Sequence, residues 1–395
     1  MATRRAPKYG LTDLLAAKEM VVVCGSGGTG KTTIAAALGV QAAVQLGGRV
    51  LVLTVDPARR LATSLGLGPL GNTAVQVPAS AFTEVGVECR GELWVAMLDT
   101  KAGWDELIRR HAPDAALRDQ VLANPLYRNI TGRFVTSHDY IAMEQLHDLH
   151  ASGQYDLVII DTPPSRNALD LLDAPGRMKE FFGGRLLKWL TVPYRSRLFA
   201  AASKPFTQIA DRVLGSRFLQ DIADFFILFQ TMETGFVARA GEVERLLVDD
   251  RTTFIVVSTL EAAPAREARF LADELHRRKM PLGALVLNRT MPVSVRRPAV
   301  VKAAAALREV AADTAQVREL GKATGAKPAE VKRVLTEVSE RFRDITVVAG
   351  REAERRSELE TAAPITAVVP TMPADVHDLP ALLALGEHLA APTSR

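Results

Sequence analysis

The stretch MVVVCGSGGTGKTTIAAAL, Met20 to Leu38, decides the fold. Four apolar residues lead into Cys24 and Gly25, and the run then satisfies G-x-x-x-x-G-K-[ST] with Gly25, Gly30, Lys31 and Thr32. A strand before and a helix after is the context in which such a loop cradles phosphate. Its glycines let successive N–H groups turn inward, and the following helix adds its positive end. Gly25, Ser26, Gly27, Gly28, Thr29, Gly30, Lys31, Thr32 and Thr33 are therefore candidate nucleotide-binding residues. Lys31 is expected to reach the β- and γ-phosphates, and the Thr32 hydroxyl to ligate magnesium.

Outward from this loop, five more runs read as strands: VLVLTV (Val50 to Val55), LVIIDT (Leu157 to Thr162), FIVVST (Phe254 to Thr259), LGALVLN (Leu282 to Asn288) and ITAVV (Ile365 to Val369). Continuous apolar runs that alternate with helical stretches predict α/β architecture, a doubly wound and mostly parallel sheet of the P-loop NTPase kind. The whole chain, 1–395, reads as one such domain. Stretches 101–150 and 175–247 carry helical periodicity without strands and predict an inserted helical subdomain. A helical hairpin is expected over 300–360, where Pro328 suits the first turn of a new helix.

Two strand ends carry acids. Asp161 follows four apolar residues, where a Walker B carboxylate would hold the metal directly or through water. Asp56 ends VLVLTV, where it could position the attacking water. The guanine-reading Asn/Thr-Lys-x-Asp tetrad is absent, since Thr100-Lys101 is followed by Ala102-Gly103. Asn288 ends another strand, and its amide suits the donor and acceptor edge of adenine, which favours ATP over GTP.

Composition narrows the classes. Of 395 residues 48% are hydrophobic and 24% charged, as in a globular protein. The net charge of +4 comes without any long basic run, so no nucleic-acid partner is expected. The N-terminus lacks the apolar core of a signal peptide, and no run reads as a membrane span, which predicts a cytoplasmic protein. Cys24 and Cys89, the only cysteines, cannot build a disulfide framework or a zinc clasp by themselves. His147 and His150, beside Glu144, read as a solvated helix face rather than a metal site.

GSGGTGKT from Gly25, DPAR from Asp56 and DTPPSRNALDLL from Asp161 together resemble the arsenical-pump and tail-anchored-protein-targeting ATPase family, among the deviant-Walker P-loop ATPases. The resemblance implies a magnesium-dependent ATPase working as a nucleotide-sandwich dimer, with Asp56 organising the hydrolytic water. It also marks departures. The family's signature lysine falls at Ser26, and its zinc-holding Cys-x-x-Cys and metalloid thiols are missing. Ser26 admits three readings: pairing with a lysine-bearing paralogue, substitution by Arg59, Arg60 or Arg166, or weak hydrolysis. The paralogue is favoured.

Residues 177–236 concentrate aromatic and basic side chains. Nine of the 14 Phe lie between Phe181 and Phe236, and nine basic residues from Arg177 to Arg217 face two acids. Such a segment suits an acidic membrane surface or an apolar client, which would put the protein peripherally at the membrane. It equally suits a helical core with a wet arginine face. Three functions follow: an ATPase whose dimer closure drives client handling; a weakly hydrolysing regulatory subunit of a paired complex; and a membrane-positioning ATPase of the cell-division type.

Overall fold

The computed structural model describes residues 10–391 except 56–61, 64, 69–70, 72, 99, 113, 125–126, 128–134 and 184–232. Its centre is a sheet of eight described strands in the order β3-β4-β2-β5-β1-β6-β7-β8. The strands are β1 (Met20–Gly25), β2 (Arg49–Thr54), β3 (Val75–Gln76), β4 (Glu92–Met97), β5 (Leu157–Asp161), β6 (Thr252–Ser258), β7 (Leu282–Thr290) and β8 (Ile365–Pro370). Every pairing is parallel except that of the two-residue β3 with β4. The doubly wound α/β sheet read from the sequence is thus the observed one.

β1 lies between β5 and β6, and all three are buried along their length. That explains their unbroken apolar runs, because a strand covered on both faces has no solvent side to alternate toward. β4, ELWVAM, was not among the runs singled out above. Glu92, Trp94 and Met97 are only half-buried, so its apolar signal is broken by partly wet positions.

Helices α1 (Leu11–Ala16), α2 (Lys31–Gln45) and α13 (Leu379–Ala390) lie against one face of the sheet. Ile34, Leu38 and Leu382 there are sealed from solvent together with Val21, Val23 and Val52. The other face is covered by α6 (Val135–Ala151), α7 (Ser165–Gly183), α8 (Glu233–Val248) and α9 (Ala262–Arg277). A short helix, α3 (Ala79–Glu84), precedes β4.

α4 (Thr100–His111) and α5 (Ala115–Ala123) belong to the first helical excursion, and α7 and α8 bracket the second. Both excursions contribute to one apolar cluster, in which Trp104, Ile108, Val121, Tyr127 and Ile141 meet Ala174, Phe236 and Ala240. Phe236 is fully buried there, so this end of the aromatic stretch is core. Most of the stretch, residues 184–232, lies outside the described residues.

An ion pair between a half-buried arginine and a buried carboxylate joins the same helices. The Arg239 guanidinium on α8 donates to Glu144 on α6 at 2.7 Å and also reaches Asp148 and Glu242. Glu144 is 2% exposed. The solvated face expected of His147, His150 and Glu144 is not what the structure shows: Glu144 is buried and both histidines are half-buried, His147 lying 3.7 Å from Glu242 and His150 2.9 Å from Glu19. Burial holds the His147 imidazolium below its usual range, with Arg239 adding to the effect.

Between β7 and β8 the chain forms α10 (Pro298–Ala312), α11 (Thr314–Thr324) and α12 (Pro328–Leu359). Pro328 stands at the first turn of α12, after Gly325 has closed α11 in the left-handed conformation. Asp313 separates α10 from α11 by accepting the Ala315 and Gln316 N–H groups, an N-cap that makes two helices of one alanine-rich run.

Removing the guanidinium from beside a buried carboxylate is strongly destabilising. Arg239→Ala should lower the unfolding free energy by about 3–5 kcal/mol, read from the midpoint shift in urea.

Candidate active site

The phosphate loop leaves the C-terminal end of β1, where a parallel α/β sheet places its ligands. Gly25 is required by a close approach. Its φ is +151°, and a Cβ there would come within 2.1 Å of the Val257 carbonyl oxygen on β6. Gly30 caps α2 in the left-handed region, at φ +92°. These two backbone demands are what the glycine spacing in the motif encodes.

Within the loop, Thr29 Oγ1 donates to the Ser26 carbonyl at 2.9 Å, and Lys31 Nζ donates to the same oxygen at 3.0 Å. Lys31 is 8% exposed, its ammonium held under the curl of the loop. Ser26 Oγ turns away toward α9 and donates to Glu267 Oε2 at 2.5 Å. Gly27 lies against the Pro164 ring, so the loop touches the segment that follows Asp161.

Asp161 is fully buried at the end of β5. Its Oδ2 accepts from Thr32 Oγ1 at 2.6 Å and from Thr54 Oγ1 at 3.0 Å. Thr54, the last residue of β2, was not singled out in the sequence; its position opposite Asp161 in the β2–β5 register is the signal that would have found it. The hydroxyl and carboxylate oxygens brought together here form the donor set that a hard divalent cation takes. Asp56, Arg59 and Arg60 lie outside the described residues. Arg166 falls on α7, with its side chain outside them too.

Asn288 sits at the loop's other flank. Its Nδ2 donates to the Thr29 carbonyl at 2.8 Å, and its Oδ1 accepts the Arg289 N–H at 2.9 Å. The amide that was expected to read adenine is therefore also a clip on the phosphate loop. One of its two donors and one of its two acceptor positions are spent there.

A cleft of about 870 Å³ opens beside this clip. Gly30, Thr33, Asn288 and Arg289 form one wall, and Pro370 at the end of β8 with Met372, Asp375 and His377 from the β8–α13 connection form another. The second wall was missed in the sequence. Its only signal is TMPADVHD following a strand, a loop at the C-terminal edge of a parallel sheet.

The model of the anion-transporting ATPase family matches residues 18–320. The chain belongs to this family, and it is an ATPase. It is 28% identical over 275 residues to an uncharacterized protein of Streptomyces coelicolor, a match spanning 69% of this chain and 62% of that protein. To ATPase BagA of Mycobacterium tuberculosis it is 24% identical over 382 residues, 93% of this chain and 92% of the relative. An ATPase ASNA1 homolog of Entamoeba dispar is 24% identical over 277 residues, 69% and 77% of the two chains. The family match stops short of β8 and α13, although the β8–α13 connection lines the cleft of this ATPase. Among the described residues no helix is long and apolar enough to cross a membrane.

Cys24, in the strand that feeds the loop, is 1% exposed, and burial pushes its thiol up to about 12 despite the charge of Lys31 nearby. Since the thiolate is the reactive form, a disulfide reagent at pH 8 should label Cys89 in the native protein and Cys24 only after denaturation. Native labelling of both at one rate would contradict this placement of β1.

Proposed function

We propose that the chain binds magnesium-ATP with the triphosphate in the P-loop and the base in the cleft beside Asn288, and couples its hydrolysis to the handling of a client. The observation that carries this reading is the convergence of Thr32 and Asp161 beside a glycine loop that already curls around Lys31.

Each residue has a physical task. The loop amides and the N-terminal end of α2 would hold the phosphate oxygens, and Lys31 would leave the Ser26 carbonyl to bridge the β- and γ-phosphates. Thr32 and Asp161 would hold magnesium, directly or through water, and the metal supplies neutralisation of charge on the phosphates when bound. Asp56 would orient the attacking water. Asn288 would present its remaining N–H and lone pair to adenine. Positioning and electrostatic stabilisation then suffice, without a covalent intermediate.

The assembly is a dimer with a homologous subunit, in which ATP closes the pair and hydrolysis reopens it. Ser26 supports a heterodimer, since its hydroxyl is turned toward Glu267 of its own chain and can bring no positive charge to a partner's site. The helical subdomain, with residues 177–236, is the part that would pass this motion to an anion, an apolar polypeptide or a lipid-like cargo at the membrane. A weakly hydrolysing regulatory role is the second reading, and Ser26 is what favours it.

Lys31→Ala should abolish ATP binding or turnover, whereas Asp56→Asn should bind ATP with near-parental affinity and lose turnover at least a hundredfold, measured by fluorescent-nucleotide titration and phosphate release. Parental behaviour of both variants would remove the site assignment. Mass spectrometry of proteins that co-purify with the chain should find a paralogue with lysine in the Ser26 position. A chain that dimerises and hydrolyses ATP equally well alone excludes the heterodimer.

A further inference from the structure

Arg289 has a backbone conformation that arginine rarely adopts. Its φ is +55°, and only Lys279 shares a positive φ among the described non-glycine residues. Lys279 closes the turn after α9, an ordinary place for such a residue. Arg289 instead lies inside β7, between Asn288 and Thr290, in the interval where the β7–β8 register shifts. Strained backbone of this kind persists where surrounding contacts over-determine it, and it clusters at ligand clamps.

The contacts are those of the phosphate loop. Asn288 Oδ1 holds the Arg289 N–H at 2.9 Å while the same amide holds Thr29. The Arg289 guanidinium then reaches the Gly28 carbonyl, with Nη1 to oxygen at 3.3 Å. The side chain is exposed, lines the cleft with Gly30 and Thr33, and among the described residues pairs with no carboxylate. A guanidinium has five N–H donors in a planar fork, and one neutral carbonyl uses few of them.

Charge around the loop points the same way. Its own side chains bring one cation, Lys31, while Glu267 stands against Ser26. A triphosphate seated there carries several negative charges. The left-handed turn at Arg289 puts a second, always-charged group at the loop's rim, on the side of Asn288.

We propose that Arg289 is a binding residue for the phosphate chain of the nucleotide, supplied by the same protomer and aimed by its left-handed backbone and the Asn288 clip. The proposal rests on the nucleotide reading of the P-loop. On binding, the guanidinium exchanges the Gly28 carbonyl for phosphate oxygens, a charge-assisted and geometrically matched contact.

The test measures displacement of a fluorescent ATP analogue by ATP, by tripolyphosphate and by adenosine. Arg289→Ala should weaken ATP and tripolyphosphate about tenfold each, equivalent to about 1.4 kcal/mol, and leave adenosine unchanged. Arg289→Gly, whose backbone accepts the positive φ freely, should lose the same factor. Tripolyphosphate binding at parental strength, an equal loss for adenosine, or recovery of parental affinity in Arg289→Gly would each overturn the proposal. Lys31→Ala, run in parallel, separates the two levels. If it too binds tripolyphosphate like the parent, the P-loop reading fails; if it alone loses binding, only the role of Arg289 fails.

Discussion

The buried carboxylate of Asp161 is the constraint around which the site is arranged. A carboxylate out of contact with water must be met by donors, and it is met here by hydroxyls from two other elements, Thr32 at the start of α2 and Thr54 at the end of β2. Those two contacts fix how far α2 stands from the sheet edge and how β2 and β5 end relative to one another. They also leave a cluster of hard oxygen atoms next to a loop of inward-facing amides. That cluster is the donor set on which the proposed magnesium site rests.

The loop is pinned from three sides, once by sterics and twice by hydrogen bonds. Sterics act at Gly25, where only the lack of a side chain lets β1 pass the Val257 carbonyl. Hydrogen bonding acts at Thr29, held by the Asn288 amide from β7. A side-chain contact acts at Ser26, drawn to Glu267 on α9. These clamps come from β6, β7 and α9, all far from the loop in sequence. The glycine loop is therefore held by the second half of the sheet as much as by its own motif.

Legibility in the sequence followed burial. β1, β5 and β6 are covered on both faces, so their apolar runs announce them with near-correct ends. β4 is partly wet, and its signal was lost among turns. The break at Asp313 was missed because an N-cap needs one polar residue and no glycine or proline. At the site, Lys31, Thr32 and Asp161 could be named because the motif residues are contiguous or end a strand. Thr54, Glu267 and the residues around Met372 and His377 could not, since nothing local marks which loop faces the cleft.

Asn288 shows where the two sources of knowledge divide. The sequence by itself determined the α/β class, the glycine loop between β1 and α2, and Asp161 at the end of β5, because these follow from local rules: apolar periodicity, glycine's backbone freedom, and a polar residue closing an apolar run. It also marked Asn288 as an amide at the right edge of the sheet. Only the tertiary structure decided that this amide grips Thr29, that the next residue, Arg289, stands in the left-handed region, and that Ser26 faces Glu267. The grip on Thr29 and the Ser26–Glu267 contact join residues 259 and 241 positions apart, across strands whose order in the sheet differs from their order in the chain. Periodicity and motif spacing carry no record of which distant side chains the packing brings within 3 Å.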